Sequence, residues 1–170
     1  APAGKALAEI TVGDPSFEDL IMDGGIWGTI QSPWQAGGWA SYEGQYGVTN
    51  VPDGTQYATP SDDDLYQDLA ATYIAGVTYT LTAQASSRGT GTSGADDAWQ
   101  IALHDTAGTE LAATTAAFDL VQGTWDEISV EYTATAADDG ENIRIYFSTG
   151  LGLDSSNWRF VLDDVHLNTT

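Results

Sequence analysis

Alternation of apolar and polar side chains with a period of two dominates the chain, and that period belongs to strands with one buried face. Tyr79, Leu81 and Ala83 alternate with Thr78, Thr80, Thr82 and Gln84, and Trp99, Ile101 and Leu103 alternate with Gln100, Ala102 and His104. Ile128, Val130 and Tyr132 stand opposite Glu127, Ser129 and Glu131, and Ile143, Ile145 and Phe147 stand opposite Arg144, Tyr146 and Ser148. These runs read as antiparallel strands. Weaker runs over 8–12, 39–48, 56–59, 65–69, 111–115 and 160–167 bring the expected total to about nine or ten strands. Turn chemistry separates them at Asp23-Gly24-Gly25, Gly37-Gly38, Pro52-Asp53-Gly54, Ala75-Gly76, Ala107-Gly108 and Asp139-Gly140. No segment sustains a period of 3.6, and the Thr content of 112–117 favours an extended stretch over a helix.

Many short antiparallel strands joined by regular turns predict an all-β, two-sheet antiparallel β-sandwich. A jelly roll spanning 1–170 as a single domain sets the first and last strands side by side at a sheet edge, which brings Glu18 and Asp163 within reach of one another. Two segments read as long loops: 19–38, rich in Trp and Gly, and 87–97, with its Arg-Gly-Thr-Gly-Thr-Ser-Gly run. Loops of that length in a β domain are commonly functional.

Charge narrows the choice of partner. The 170 residues carry 25 acidic side chains against 4 basic ones, a net charge of -21, so a polyanion meets a repulsive field. Nucleic acid and an anionic membrane are therefore not expected as partners. Acidic disorder is excluded as well, because 42% of residues are hydrophobic and six are Trp. Without cysteine there is no disulfide, thiolate metal site or thiol nucleophile, and His104 and His166 fit no zinc spacing. No apolar run is long enough for a membrane span and no signal peptide is visible, so the chain reads as a mature or excised piece. The acid excess suits a secreted or extracellular, high-salt setting.

A series of short motifs then carries a resemblance. Asp14-Pro15-Ser16-Phe17-Glu18, Pro52-Asp53-Gly54-Thr55-Gln56, Leu65-Tyr66-Gln67-Asp68-Leu69, Ala75-Gly76-Val77-Thr78-Tyr79-Thr80-Leu81, Gly123-Thr124-Trp125 and Leu162-Asp163-Asp164-Val165 occur in that order. The chain thereby resembles, over roughly residues 8 to 168, the galactose-binding-like jelly rolls that serve as carbohydrate-binding modules beside bacterial polysaccharide-degrading enzymes. Asp14 stands where that family often has Asn. The resemblance implies a structural Ca²⁺ held by Glu18, Asp53 and Asp163, with Gln56 completing the shell through its backbone carbonyl. Converging carboxylates repel unless a cation sits between them, and Ca²⁺ takes six to eight oxygens. Ser61-Asp62-Asp63-Asp64 lacks the spacing of a calcium loop and reads as a solvated turn.

A sugar site needs exposed aromatic faces ringed by polar groups. Trp27, Trp34 and Trp39, with Tyr42 and Tyr46, lie in or beside the Gly-rich segment, where a loop has little means of burying three indoles. Trp158, between Asn157 and Arg159, is a further candidate, whereas Trp99 is in phase with core residues and Trp125 reads as structural. Gln84, Gln100, Arg144 and Tyr146 share the out-of-phase parity that could line a sheet surface. Arg88 is either a ligand contact or one half of a salt bridge.

No nucleophile elbow, phosphate loop or Tyr/His/Arg lyase cluster is present, so catalysis is not expected. The expected function is a non-catalytic, monomeric module that targets a covalently linked catalytic domain to a neutral or weakly charged polysaccharide or oligosaccharide. β-Glucan, xylan, mannan and agarose are the expected polymers. The alternative is a calcium-stabilised structural or adhesion domain of a surface protein.

Overall fold

The computed structural model describes residues 8–19, 27–35, 38–60, 64–89, 98–117, 119–149 and 160–170. Among them are the strands β1 (Ala8–Ile10), β2 (Trp27–Thr29), β3 (Gly38–Tyr42), β4 (Gln56–Pro60), β5 (Leu65–Thr72) and β6 (Thr78–Ser87). The later strands are β7 (Ala98–Asp105), β8 (Glu110–Ala117), β9 (Asp126–Thr133), β10 (Asn142–Ser148) and β11 (Phe160–Thr169). The larger sheet runs β2-β3-β4-β11-β6-β9 with β1 added on β11, and the smaller runs β5-β10-β7-β8. All strand pairs are antiparallel. This is the two-sheet sandwich that the alternating pattern predicts, with 112–117 extended inside β8.

β11 organises the larger sheet. One edge pairs with β6 from Phe160↔Ser87 to Thr169↔Tyr79. The other edge serves β4 at Leu162↔Ala58 and then β1 at Ala8↔Thr169 through Ile10↔Leu167. The first and last strands therefore lie side by side. Where β11 passes from β4 to β1, its register on β6 shifts between Asp163 and His166, and Asp164 takes a left-handed φ of 51°. Such a bulge frees part of the ladder, and the Val165 amide donates to the Pro15 carbonyl instead, at 3.0 Å.

Between the sheets, Leu81, Ala83 and Ala85 of β6, Ile128 and Val130 of β9, and Leu162 and Leu167 of β11 meet Leu65 and Leu69 of β5, Ile101 and Leu103 of β7, and Ile143, Ile145 and Phe147 of β10. Trp99 joins this core and stacks on Phe160, with ring centroids 6.2 Å apart. Trp34, expected at a ligand site, is also core, with only 2% of its surface exposed. Its ring lies 5.0 Å from Phe17 and 6.1 Å from Phe147, and its indole N–H donates to the Asp14 carbonyl at 2.9 Å. The neighbouring Gln35 exchanges backbone hydrogen bonds with Tyr66, so the loop is tied to β5 and can bury an indole after all.

Trp34→Ala should lower unfolding free energy by about 3–5 kcal/mol, the usual cost of emptying a buried large aromatic site. Urea denaturation followed by circular dichroism measures it, and a loss below about 1 kcal/mol would contradict this placement of Trp34.

Candidate functional site

Four neighbouring strands of the larger sheet bury side chains on both faces. Ala40 of β3, Ala58 of β4, Ala85 of β6 and Leu162 of β11 belong to the sandwich core. Tyr57 of β4 and Val161 of β11, the alternate residues, join Val48 in a second small cluster backed by Val51 and Trp125. The segment 43–55 covers this outer face. It is closed by Glu43 N–H to the Thr55 carbonyl at 2.8 Å and carries a single 3₁₀ turn, Gln45–Gly47. The Trp125 indole donates to the Thr49 carbonyl at 2.9 Å and pins the segment down.

Beside that cluster opens a cavity of about 230 Å³ lined by Trp27, Trp39, Ser41, Tyr46 and Arg88, somewhat below the usual size of ligand pockets. Trp27 on β2 lies directly across from Ser41 on β3, which puts Trp27, Trp39 and Ser41 on one face. The two indoles meet edge to face, 4.4 Å between centroids and 87° between planes. Trp27 keeps 49% of its surface exposed, so it forms a rim.

Across the cavity, Arg88 follows the last residue of β6 and is only 7% exposed. Its guanidinium lies 4.0 Å over the Tyr46 ring. Burial lowers the Arg88 pKa, and an arginine stays cationic regardless. Tyr46 sits at φ 51°, ψ 23°, and its carbonyl accepts from the Gln122 side chain at 3.0 Å. Gln122 reaches it by threading between Gly47 and Gly89: a Cβ on Gly47 would lie 1.9 Å from its Nε2, and one on Gly89 2.3 Å from its Oε1. Both glycines also hold positive φ.

Ser41 is oriented from below. It hydrogen-bonds the Tyr57 phenol, which donates to the Gln45 carbonyl at 3.1 Å, and burial pushes the Tyr57 pKa up to about 12. The cavity therefore offers aromatic faces, two hydroxyls and a cation, and its described lining contains no carboxylate.

Of the expected ligand residues, the fold brings Trp27, Trp39 and Arg88 together here. Tyr42 ends β3 exposed and outside the lining, and Trp158 lies outside the described residues. Gln84 departs from the expected polar surface, because β6 belongs to the larger sheet while Gln100, Arg144 and Tyr146 stand on β7 and β10 of the smaller. Those three are engaged with neighbours. Arg144 grips Asp68 with two bonds of 2.6 and 3.0 Å and stacks over Tyr66, Tyr146 stacks on His104 at 4.3 Å, and Gln100 donates to Glu110 at 3.1 Å. Ser41 and Gln122 carry no motif. Only the glycine before Thr124-Trp125 marks the turn that presents Gln122.

The four expected calcium residues do converge. Glu18 Oε1 accepts the amides of Thr55 and Gln56 at 2.7 and 2.6 Å, and the Gln56 side chain donates to the Glu18 carbonyl at 3.1 Å. Asp163 accepts the Asp53 amide at 2.8 Å, while Asp53 accepts the Ser16 hydroxyl at 2.6 Å. Burial raises the Asp163 pKa to about 7. Its Oδ1 and the Gln56 side-chain oxygen are buried without a hydrogen-bond partner. Among the described residues, no three acidic or histidine side chains converge closely enough to hold a metal by themselves.

Comparison with known proteins changes the functional picture. A family model described as HpiC1-like, HpiC1 cyclase, matches residues 8–168. No curated protein sequence matches. Among solved structures, an apo cyclase from Fischerella sp. superposes with a TM-score of 0.74 at 18% identity, covering 96% of this chain and 97% of that one. A cyclase from Fischerella sp. TAU in complex with 4-(1H-indol-3-yl)butan-2-one superposes at 0.72 and 18% identity, covering 96% and 98%. The CBM22-1 xylan-binding domain of Paenibacillus barcinonensis Xyn10C follows at 0.53 and 14%, covering 98% and 97%.

The likeness to carbohydrate-binding jelly rolls is thus one of fold. The expected non-catalytic module, its polysaccharide partner, its reliance on a linked catalytic domain and the alternative of an adhesion domain are all corrected by the family match. The reason is visible in where the motifs lie. Phe17, Leu65, Leu69 and Leu162 are core, and the exposed Glu18 and Asp53 join the buried Asp163 in tying loop backbone together, so those motifs report architecture and not the ligand pocket. With residues 8–168 matched, the chain belongs to the HpiC1-like family of cyclases.

Proposed function

We propose that the protein closes a ring in a small aromatic substrate of indole type, bound on the outer face of the larger sheet between the Trp27–Trp39 pair and the Arg88–Tyr46 pair. The observation that carries this reading is the half-exposed Trp27, set edge to face on Trp39 at the mouth of a cavity closed by Arg88 and Tyr46. The indole ketone held by the Fischerella sp. TAU cyclase supports the substrate class.

Each lining group has a defined task in such a reaction. The indole faces take the substrate ring and exclude water from it, and their quadrupoles favour positive charge that develops as a ring closes on an electron-rich heterocycle. A cavity of about 230 Å³ leaves little room for an extended side arm. A folded arm brings the reacting atoms toward the 3–3.5 Å approach from which bonds form. Ser41 Oγ, held by Tyr57, is an acceptor for a heteroaromatic N–H.

We also infer that Glu18, Asp53, Gln56 and Asp163 hold a structural Ca²⁺, supported by the two partnerless buried oxygens, which are hard donors of the kind calcium takes. The ion would neutralise the carboxylate network where β11 changes partner, away from the pocket lining. The acid excess supports an extracellular setting for the same protein.

Titration of tryptophan fluorescence with 4-(1H-indol-3-yl)butan-2-one should give saturable binding that Trp27→Ala weakens about ten-fold or more. The variant's melting temperature should stay near that of the wild type, because Trp27 is a rim residue. Unchanged affinity in the variant would remove Trp27 from the site. For the ion, millimolar Ca²⁺ should raise the melting temperature of chelator-treated protein and leave Asp163→Asn unmoved. Equal response of both proteins, or of neither, would count against Asp163 as a ligand.

A further inference from the structure

We propose that Gln122 is a positioning residue that limits the size of ring the pocket accepts, by fixing Tyr46 and Arg88 opposite the Trp27–Trp39 pair. This inference rests on the pocket assigned above and adds a size limit on the substrate to it. Both residues of the far wall are followed directly by a glycine, in Tyr46-Gly47 and Arg88-Gly89. The Gln122 amide lies against both glycines, and a Cβ on either would come within 2.3 Å of it. The two bare backbones therefore form a notch that the amide fills. Gln122 itself is outside the cavity lining, so it acts on a ligand only through the wall.

Gln122 has a firm base. It bridges to Ser87, the last residue of β6, and the carbonyl of Val121 beside it accepts from the Ser86 hydroxyl at 3.3 Å and the Thr124 amide at 3.1 Å. Leu120 is buried in the core on one side, and on the other the Trp125 indole is tied to the Thr49 carbonyl. The wall, in contrast, needs support. Tyr46 holds a φ of 51°, a left-handed conformation that strains a non-glycine residue and persists only where its surroundings enforce it. The Val48 amide and the Tyr57 phenol both bind the neighbouring Gln45 carbonyl. Among the described residues it is Gln122 that binds the Tyr46 carbonyl, at 3.0 Å.

A wall held in this way does not retreat from an oversized ligand. The cavity measures about 230 Å³, so a further ring on an indole must displace the Tyr46 ring or the guanidinium stacked on it at 4.0 Å. Moving either one strains the notch, and overpacking against a fixed wall lowers affinity. Without Gln122 the Tyr46 turn can relax toward an ordinary backbone conformation and the wall yields. The close fit to a small ring and the rejection of a large one are then lost together.

Calorimetry with two ligands tests this. 4-(1H-Indol-3-yl)butan-2-one is the small one, and 4-(2-phenyl-1H-indol-3-yl)butan-2-one adds a phenyl group to it. Wild-type protein should bind the small ketone at least about ten-fold more tightly than the large one. Gln122→Ala should weaken the small ketone about five-fold, the scale of one lost hydrogen bond, and cut the preference to about three-fold or less. Gln122→Met, which fills the notch without a donor, should restore part of the preference. A general loss of structure would instead weaken both ligands alike and leave the ratio standing. Gln122 is exposed, so both variants should melt within about 5 °C of the wild type. If the wild type binds the small ketone in a Trp27-dependent manner but shows no size preference, or if the variants keep the wild-type ratio, the role of Gln122 is overturned and the pocket stands. If the wild type binds neither ketone, the pocket reading fails and this inference falls with it. Should Gln122→Ala not fold, the ratio in Gln122→Met decides: a reduced ratio supports the role and an unchanged one overturns it.

Discussion

The backbone ladder of β11 is the constraint on which the rest depends. Hydrogen-bonded to β6 along one edge and to β4 along the other, β11 sets the separation between the two walls of the cavity. β3, beyond β4, presents Trp39 and Ser41, while Arg88 leaves the end of β6. Three strand spacings, about 14 Å of backbone separation, lie between those walls, and large side chains must span the gap. Tryptophan and arginine are the residues with the reach to do so. The same strand, one turn of the ladder later, loses β4 and gains β1, and the bulge at that point admits the Asp163 carboxylate into the network of Ser16, Asp53, Glu18 and Gln56.

Strand-level architecture was legible in the sequence wherever only one face of a strand is buried. β9, with Ile128 and Val130 inward and acids outward, and β10, with Ile143, Ile145 and Phe147 inward, show the period of two that a solvated outer face produces. β4 is buried at every position and β3 at three of five, because the 43–55 segment covers their outer face. That covering erases the alternation in β3 and β4, whereas 19–38 reads as a Trp-rich loop because the β2 it contains is only three residues long, with a glycine at its centre. Trp34 illustrates the companion error. Its burial comes from a loop stapled to β5 through Gln35 and Tyr66, a contact between residues 31 apart that no local pattern announces.

The candidate site was half legible for a related reason. Trp27, Trp39 and Arg88 stand out by rarity and by their Gly-rich context, and the fold brings them together. Ser41 and Gln122 act through geometry alone, one oriented by a buried phenol and the other wedged between two glycines that are 42 residues apart. The motifs that resemble carbohydrate-binding modules lie in the core and in the carboxylate network, so they specify a jelly roll that different chemistries share. The proposed pocket lies elsewhere, on the outer face of the larger sheet, where this chain places two indoles and a guanidinium.

The most direct measurement is a crystal structure of the protein soaked with 4-(1H-indol-3-yl)butan-2-one. The account predicts indole density packed on the Trp27 and Trp39 rings with the side arm directed toward Arg88 and Tyr46. Density on the outer face of the smaller sheet, beside Tyr146 and His104, with the Trp27 cavity holding only water, would contradict it.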